Sequence, residues 1–215
     1  MITSRAVKSF MKSRLSRALR RTSLTTVFSE IHRTNAWRDP ESVSGRGSTL
    51  ARTKVITSQL PALLQELNAD SLIDAACGDF NWMRYVDLGS IEYTGVDIVP
   101  ALIARNRLLY ERTFVVLDIT KDRMPDADVI LCRDCLIHLS FKNIKAAISN
   151  FKKTSATHLL CTTHSTVTEN TDCLDGSWRN INLLLPPFNF PQPVKLFVED
   201  AELGKCLAAW RLADL

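Results

Sequence analysis

Acidic side chains stand at the ends of three successive apolar runs in the middle of the chain. Asp74 lies in the run that begins at Ser71, Asp97 lies in G-V-D-I, and Asp118 lies in V-L-D-I. A fourth apolar run leads into C-R-D-C-L-I-H, residues 132–138. One acid at a strand end is usually a helix cap, but three in one series indicate a ligand site, since ligands of open α/β sheets bind where the strands end.

The spacing of these acids predicts which kind of ligand they hold. Asp97 follows Asp74 by 23 residues, which is about where dinucleotide-binding folds place the carboxylate that binds ribose hydroxyls. However, the chain has no G-x-G-x-x-G motif, because Ala76 and Phe80 stand where glycines are needed for close approach to a pyrophosphate. It also has no G-x-x-x-x-G-K-S/T loop. The pattern therefore predicts a nucleoside cofactor without phosphate.

Three residues are candidate general bases. Asp134 and His138 follow the fourth apolar run and His164 follows the fifth, so all three fall on the predicted ligand edge. The alternative role of His138 is to cap the next helix.

An acceptor pocket next to these bases would need walls and polar contacts. Trp37 and Trp82 are candidate aromatic walls, with burial in the core as the alternative, and Arg179 is a candidate polar contact. Cys132 and Cys135 form a C-x-x-C pair, but a second pair at zinc-site spacing is missing from the sequence. We therefore expect no metal site.

The elements that position these residues follow from the hydrophobic pattern. Short apolar runs that alternate with helical periodicity predict parallel strands covered by helices on both faces. The predicted strands are 71–75, 93–97, 114–117, 128–132 and 158–163, with helices at 100–110 and 141–151. The pattern indicates an α/β fold of the Rossmann-like, doubly wound type.

Flanking segments complete the predicted domain, residues 23–215. A helix is expected to begin after Ser48 or Thr49 and to run to about Leu67, with a kink or break possible at Pro61. Turn-rich residues predict a lid loop over 28–49 and a second lid over 164–193. Residues 194–198 and 206–212 predict a terminal antiparallel β-hairpin.

D-A-A-C-G-D, residues 74–79, together with the later strand-end acids, resembles the class I S-adenosylmethionine-dependent methyltransferases over about residues 50–215. The family's first motif is commonly written D-x-G-x-G-x-G, and this chain departs from it at Ala76 and Phe80. The resemblance implies a mostly parallel seven-stranded sheet with a C-terminal antiparallel hairpin. The strings F-N-W-M, C-R-D-C-L-I-H-L-S and L-P-P-F are similar to a bacterial-type subgroup.

This resemblance also assigns expected roles around S-adenosylmethionine. Asp74 and the backbone near Ala76 and Gly78 would hold the methionine moiety, and Asp97 would bind the ribose. Asp118 and Ile119 would face the adenine, and Arg133 and Asp134 would lie beside the transferable methyl group. The full set of expected cofactor contacts within these motifs is Asp74, Ala76, Cys77, Gly78, Asp97, Ile98, Asp118, Ile119 and Arg133.

The basic N-terminus is the remaining feature of the sequence. Residues 1–21 carry seven Lys or Arg and no acid, so the net charge of +4 leaves −3 for the rest of the chain. A slightly acidic body has little general attraction for nucleic acid. Residues 1–22 are expected to form a basic amphipathic helix at an anionic membrane surface, a solvated tail or a transit peptide. The expected location is cytoplasmic, with peripheral membrane contact as an option.

Three functions remain after these considerations. The leading prediction is a methyltransferase that acts on a hydroxyl of a small molecule or glycan. The alternatives are an RNA or protein methyltransferase that uses the basic N-terminus as a tether, and a nucleoside-binding protein of the same fold without turnover.

Overall fold

The computed structural model describes residues 23–215 and contains one seven-stranded sheet with the order β3-β2-β1-β4-β5-β7-β6. Strands β1 to β5 pair in parallel, whereas β7 pairs antiparallel with both β5 and β6. The predicted fold class is confirmed, including the C-terminal hairpin. The strands are β1 (Ser71–Ala75), β2 (Glu92–Asp97), β3 (Thr113–Val116), β4 (Val129–Cys132), β5 (His158–His164), β6 (Lys195–Asp200) and β7 (Lys205–Arg211).

Four α-helices accompany this sheet in the described part of the chain: α1 (Leu24–Thr34), α2 (Leu50–Glu66), α3 (Pro100–Leu109) and α4 (Phe141–Phe151). Each face of the sheet carries its own apolar layer. Helix α2 packs on one face through Ile56, Leu60, Leu63 and Leu64. Helix α4 packs on the other through Ile144, Ala147, Ile148 and Phe151. The two layers hold the sheet rigid, so the residues at its edge have fixed positions.

The predicted helices and strands are confirmed to within two residues at most boundaries. Helix α2 continues through Pro61 without a break. The connection from β1 to β2 contains only one short 3-10 turn, Met83–Tyr85, instead of an α-helix. Because that connection is short, it keeps the first motif close to the strand ends.

The predicted lid loop over residues 28–49 is wrong in its first part, because α1 extends to Thr34. Ser23 caps this helix by accepting a hydrogen bond from the backbone N–H of Thr26 at 3.2 Å. Asn35 ends it in the left-handed conformation, with φ of 45°. The second predicted lid, 164–193, starts one residue too early, since His164 is the last residue of β5.

The predicted basic helix or tail, residues 1–22, lies outside the described residues. Among residues 23–215, no helix is long and apolar enough to cross a membrane.

The register of the parallel strands β1, β2 and β4 places their carboxyl ends side by side. Asp74 of β1 lies opposite Gly95 of β2 and Leu131 of β4. The residues that follow these three strands therefore meet at one edge of the sheet, where the site forms.

Candidate functional site

A cavity at this edge of the sheet gathers most of the residues singled out from the sequence. Helix α1 and the segment that follows it form its cover. The predicted site residues that line it are Trp37, Asp74, Ala76, Cys77, Gly78, Trp82, Asp97, Ile98, Asp118, Ile119, Arg133, Asp134 and His138. His164 and Arg179 are not among the residues that line this cavity.

Asp74 is buried beneath the first loop. Its carboxylate accepts a hydrogen bond from the Tyr93 hydroxyl at 2.9 Å. Burial raises the pKa of Asp74 to about 7, and the bond from Tyr93 only partly opposes this. The carboxylate therefore gains from any further hydrogen-bond donor or positive charge that enters the cavity.

Asp97, at the end of β2, holds the first loop from the other side. Its two oxygens accept from the backbone N–H groups of Gly78 at 3.2 Å and Val99 at 3.0 Å. Burial raises the pKa of Asp97 to about 6 in spite of these bonds. The geometry leaves lone pairs of a buried carboxylate for hydroxyl donors.

Asp118 lies on the far side of the cavity from the β4 residues. Its side chain accepts from the backbone N–H of Thr120 at 3.0 Å and from the hydroxyl of Thr120 at 2.6 Å. Lys121 approaches the carboxylate at 3.2 Å from the solvent side. Near it the wall is apolar and consists of Ile98, Val99, Leu102, Leu117 and Ile119.

Residues 41–48, which we call the strap, run over the first loop and are anchored to it. Asp79 accepts from the Ser42 hydroxyl at 2.8 Å and from the Val43 N–H at 3.0 Å, and its own N–H donates to the Ser44 hydroxyl at 2.9 Å. Asn81 donates to Glu41 at 2.8 Å. Sequence reasoning did not assign these roles, although the Asp79 position is part of the first motif.

The end of β4 carries a buried network of four charges. Arg133 donates three hydrogen bonds to Glu199 of β6, the shortest at 2.7 Å, and the Lys205 ammonium of β7 binds Asp134 at 2.5 Å. Arg133 also donates to the strap at the carbonyl of Gly47, at 3.0 Å. The side chain of Glu199 is only 1% exposed. Two cations and two anions thus neutralise one another, and sequence reasoning missed both hairpin partners because they lie far away in the chain.

Asp134 is fixed by this network. Burial alone would raise the pKa of Asp134, but the charges of Arg133 and Lys205 outweigh it and lower the pKa to about 2. The backbone N–H of Asp134 donates to the hydroxyl of Thr162 at 2.9 Å. A carboxylate held this way is a weak base, so Asp134 is better suited to electrostatic positioning than to proton removal.

His138 lies in a 3-10 turn after β4, Leu136–His138, and faces the cavity. Its Nδ1 is 2.8 Å from the carbonyl oxygen of Ser177, and a carbonyl can only accept, so Nδ1 carries the proton. In the neutral ring Nε2 therefore keeps its lone pair. Burial lowers the pKa of His138, and the bond to Ser177 only partly opposes this. The ring stacks on Trp37 with centroids 4.7 Å apart.

His164 and Arg179 have other partners. His164 is buried, and its Nδ1 donates to the carbonyl of Ile181 at 3.2 Å. The guanidinium of Arg179 donates to the carbonyls of Leu136 at 2.9 Å and Leu139 at 2.6 Å, so it braces the turn that carries His138. Trp178, which lies between Ser177 and Arg179, is 62% exposed.

The side chains that line the cavity fit S-adenosylmethionine. Four carboxylates line a largely apolar cavity, and three of them, Asp74, Asp97 and Asp118, lie outside the β4 charge network. These three match a ligand that carries a positive charge, ribose hydroxyls and amino groups. The phosphate-binding features that a dinucleotide needs are missing from the first loop, as its sequence indicated. Within the part of the chain that the structure describes, no group of three or more His, Cys, Asp or Glu side chains could hold a metal ion.

Comparison with known proteins agrees with this geometry. A family model described as "Methyltransferase domain" matches residues 73–155, which run from β1 past α4. No curated protein matches the sequence.

Solved structures similar to this chain include methyltransferases bound to S-adenosylmethionine or S-adenosyl-L-homocysteine. The N-methyltransferase NodS of Bradyrhizobium japonicum, bound to S-adenosyl-L-homocysteine, has a TM-score of 0.60 at 15% identity, with 85% of this chain and 97% of NodS covered. Magnesium protoporphyrin IX methyltransferase of Synechocystis, bound to the cofactor, has a TM-score of 0.56 at 16% identity, with 88% and 98% covered.

Human N-acetylserotonin methyltransferase, also bound to the cofactor, has a TM-score of 0.57 at 12% identity. The match covers 74% of this chain and 52% of the human enzyme, so the chain spans about half of that protein's length. At these identities the likeness concerns the fold.

Proposed function

We propose that this chain transfers the methyl group of S-adenosylmethionine to a hydroxyl of a small molecule, with His138 as general base. The methyltransferase-domain match over residues 73–155 and the fold shared with cofactor-bound methyltransferases support the reaction class. The observation that carries the proposal is the bond between Nδ1 of His138 and the Ser177 carbonyl. Because this bond fixes the tautomer, Nε2 is the nitrogen left to accept a proton.

The cofactor would be held by Asp74, Asp97 and Asp118, together with the first loop around Gly78. When bound, S-adenosylmethionine supplies a methyl group that is open to attack by a nucleophile. The protein's part is to orient the acceptor, exclude water and take the proton of the hydroxyl. Asp134 lies close enough to His138 to favour the protonated ring, which helps His138 retain that proton.

The cavity wall supports a small molecule as the acceptor over a glycan or a macromolecule. The cover is formed by α1 and the strap, which enclose the edge of the sheet and leave apolar side chains facing inward, among them Leu24, Phe28 and Ile31. A glycan would need many polar partners in place of these side chains. Two structural neighbours are named for different acceptors, N-acetylserotonin and magnesium protoporphyrin IX, and a third is named an N-methyltransferase, so the fold alone does not select an acceptor.

The test compares two histidines by the same substitution. In His138→Asn the side-chain amide can still donate to Ser177, but the base is lost. We expect kcat on a hydroxyl acceptor to fall about 100-fold or more. The affinity for S-adenosylhomocysteine, measured by calorimetry, should stay nearly constant.

His158→Asn is the matched control, because His158 bonds to Thr157 at the opposite end of β5, away from the cavity. It should leave both quantities unchanged. Equal losses of turnover and cofactor affinity in His138→Asn would indicate a structural role, and full turnover would exclude His138 as the base.

A further inference from the structure

The end of the cavity around His138, which we call the slot, is lined by two aromatic rings that pack on each other. The Trp37 indole and the His138 imidazole stack with an angle of 28° between their planes. Ile31 from α1 and Leu139 extend the wall beside them. Gly45, with φ of 87°, permits this packing, since a Cβ there would lie 3.3 Å from Cβ of Trp37. The slot therefore offers flat apolar surface next to the base.

Two charged side chains near His138, those of Asp134 and Arg179, are already engaged. Asp134 is bound by Lys205 and Arg133, and Thr162 donates to it at 3.2 Å. The guanidinium of Arg179, predicted from the sequence to contact substrate, is occupied by backbone carbonyls. A polyhydroxy acceptor would leave several hydroxyls without partners here, at a cost of about 1–3 kcal/mol for each.

The basicity of His138 further restricts the class of acceptor. Burial lowers the pKa of His138, so proton transfer to it becomes easier as the acidity of the hydroxyl increases. A phenolic hydroxyl has a pKa of about 10, as in tyrosine. It is therefore a much better proton donor to this base than a hydroxyl as weakly acidic as that of water, with a pKa of about 15.7.

We propose, on the premise that His138 is the base of an O-methyl transfer, that the acceptor is a planar aromatic compound with a phenolic hydroxyl directed at His138 and its ring against Trp37. The phenolic oxygen gives its proton to Nε2 of His138, and its electron pair forms the new O–CH3 bond. The S–CH3 bond breaks with its electron pair left on sulfur, and the proton passes from His138 to solvent.

The test uses two probes with one carbon skeleton. 2-Naphthol is flat and has a phenolic hydroxyl, whereas decahydro-2-naphthol is puckered and has an alcohol. With S-adenosylmethionine present, we expect methyl ether formation from 2-naphthol at least about 100-fold faster than from the saturated compound or from glucose. In fluorescence titration, 2-naphthol should bind the protein loaded with S-adenosylhomocysteine.

Substitutions at two tryptophans distinguish a contact with the acceptor from a general effect on packing. Trp37→Leu should lower kcat/KM for 2-naphthol about 10-fold, because it removes the surface that the acceptor ring stacks on, while the affinity for S-adenosylhomocysteine stays nearly unchanged. Trp178→Leu is the control, since Trp178 is exposed and outside the cavity wall, and it should change neither value.

The outcomes distinguish this inference from the function on which it rests. Equal or faster methylation of decahydro-2-naphthol or glucose, or no binding of 2-naphthol up to millimolar concentration, would overturn the aromatic acceptor and leave hydroxyl methylation standing. Methylation of 2-naphthylamine with none of any hydroxyl compound would overturn the proposed O-methyl transfer itself.

Discussion

The cavity has one half formed by the ends of β1 and β2 and another formed by the end of β4 with the β6–β7 hairpin, and the two halves compensate buried charge differently. In the first half, burial raises the pKa of Asp74 to about 7 and of Asp97 to about 6. In the second half, Arg133 and Lys205 lower the pKa of Asp134 to about 2, against the effect of burial.

This difference separates the roles of the halves. The acids of the first half lack a nearby cation that compensates them fully, so they gain most when a ligand brings donors and charge. The second half is neutral by itself and gains little from a ligand. We therefore expect changes in the first half to alter cofactor binding, and changes in the second half to alter folding stability first.

The largest expected effect comes from removing one partner of the β4 network. Glu199→Ala leaves two buried cations, Arg133 and Lys205, with the single carboxylate of Asp134, which should destabilise the fold by about 3–5 kcal/mol. Chemical denaturation followed by circular dichroism measures this change.

A surface pair serves as the control for Glu199. Glu66 and Lys195 form an ion pair at 2.7 Å in which both side chains are about half exposed. Glu66→Ala should cost at most about 1 kcal/mol, because water screens the pair. Equal effects of the two substitutions would mean that the network does not stabilise the β4 end.

A smaller effect, on affinity, is expected in the first half. Asp97→Asn should weaken S-adenosylhomocysteine binding by about 1.5–3 kcal/mol at pH 8, since hydrogen bonds to a charged acceptor are replaced by neutral ones. Calorimetry at this pH gives the difference directly.

The pKa of Asp97 predicts the direction in which the affinity for S-adenosylhomocysteine changes with pH. The pKa of Asp97 is about 6 in the folded protein, so the carboxylate is protonated below that pH and ionised above it. Affinity of the unaltered protein should therefore rise between pH 5 and 8 relative to Asp97→Asn, which has no carboxylate to ionise at that position. A constant ratio of the two affinities across this range would contradict a role for the ionised Asp97.

Local patterns in the sequence were sufficient for most of the fold but only for part of the site. Apolar runs and helical periodicity located β1 to β5, α2, α3 and α4, because each of these elements buries a continuous face. Helix α1 was missed, although Leu24, Phe28 and Ile31 have helical spacing and Ser23 is a capping residue. The turn-rich segment after residue 34 obscured a helix of only 11 residues.

Partners that are distant in the chain explain the remaining differences at the site. Glu199 and Lys205 meet Arg133 and Asp134 only because the hairpin is antiparallel to β5. No short-range pattern marks such pairs. The same applies to Arg179, whose guanidinium is used by carbonyls more than 35 residues away in the chain.

The smallest expected effect tests how the strap contributes to the first half, through two glycines with nearly equal backbone conformation. Gly78 has φ of 55° and Gly89 has φ of 54°, so Ala at either position is strained by about 1 kcal/mol. A Cβ at Gly78 would also collide with the Ser44 hydroxyl, whereas a Cβ at Gly89 would have nothing within 4 Å. Gly78→Ala should therefore displace the strap.

Both variants should lose similar stability from backbone strain, but only Gly78→Ala should also weaken S-adenosylhomocysteine binding, by about 10-fold, which corresponds to about 1.4 kcal/mol. This loss is expected because the loop held by Asp97 and Asp79 can no longer keep its place under the strap. Calorimetry on the two variants isolates the contribution of the strap, since the strain is common to both. If the two variants bound the ligand equally well, the strap would cover the cavity without ordering the first loop.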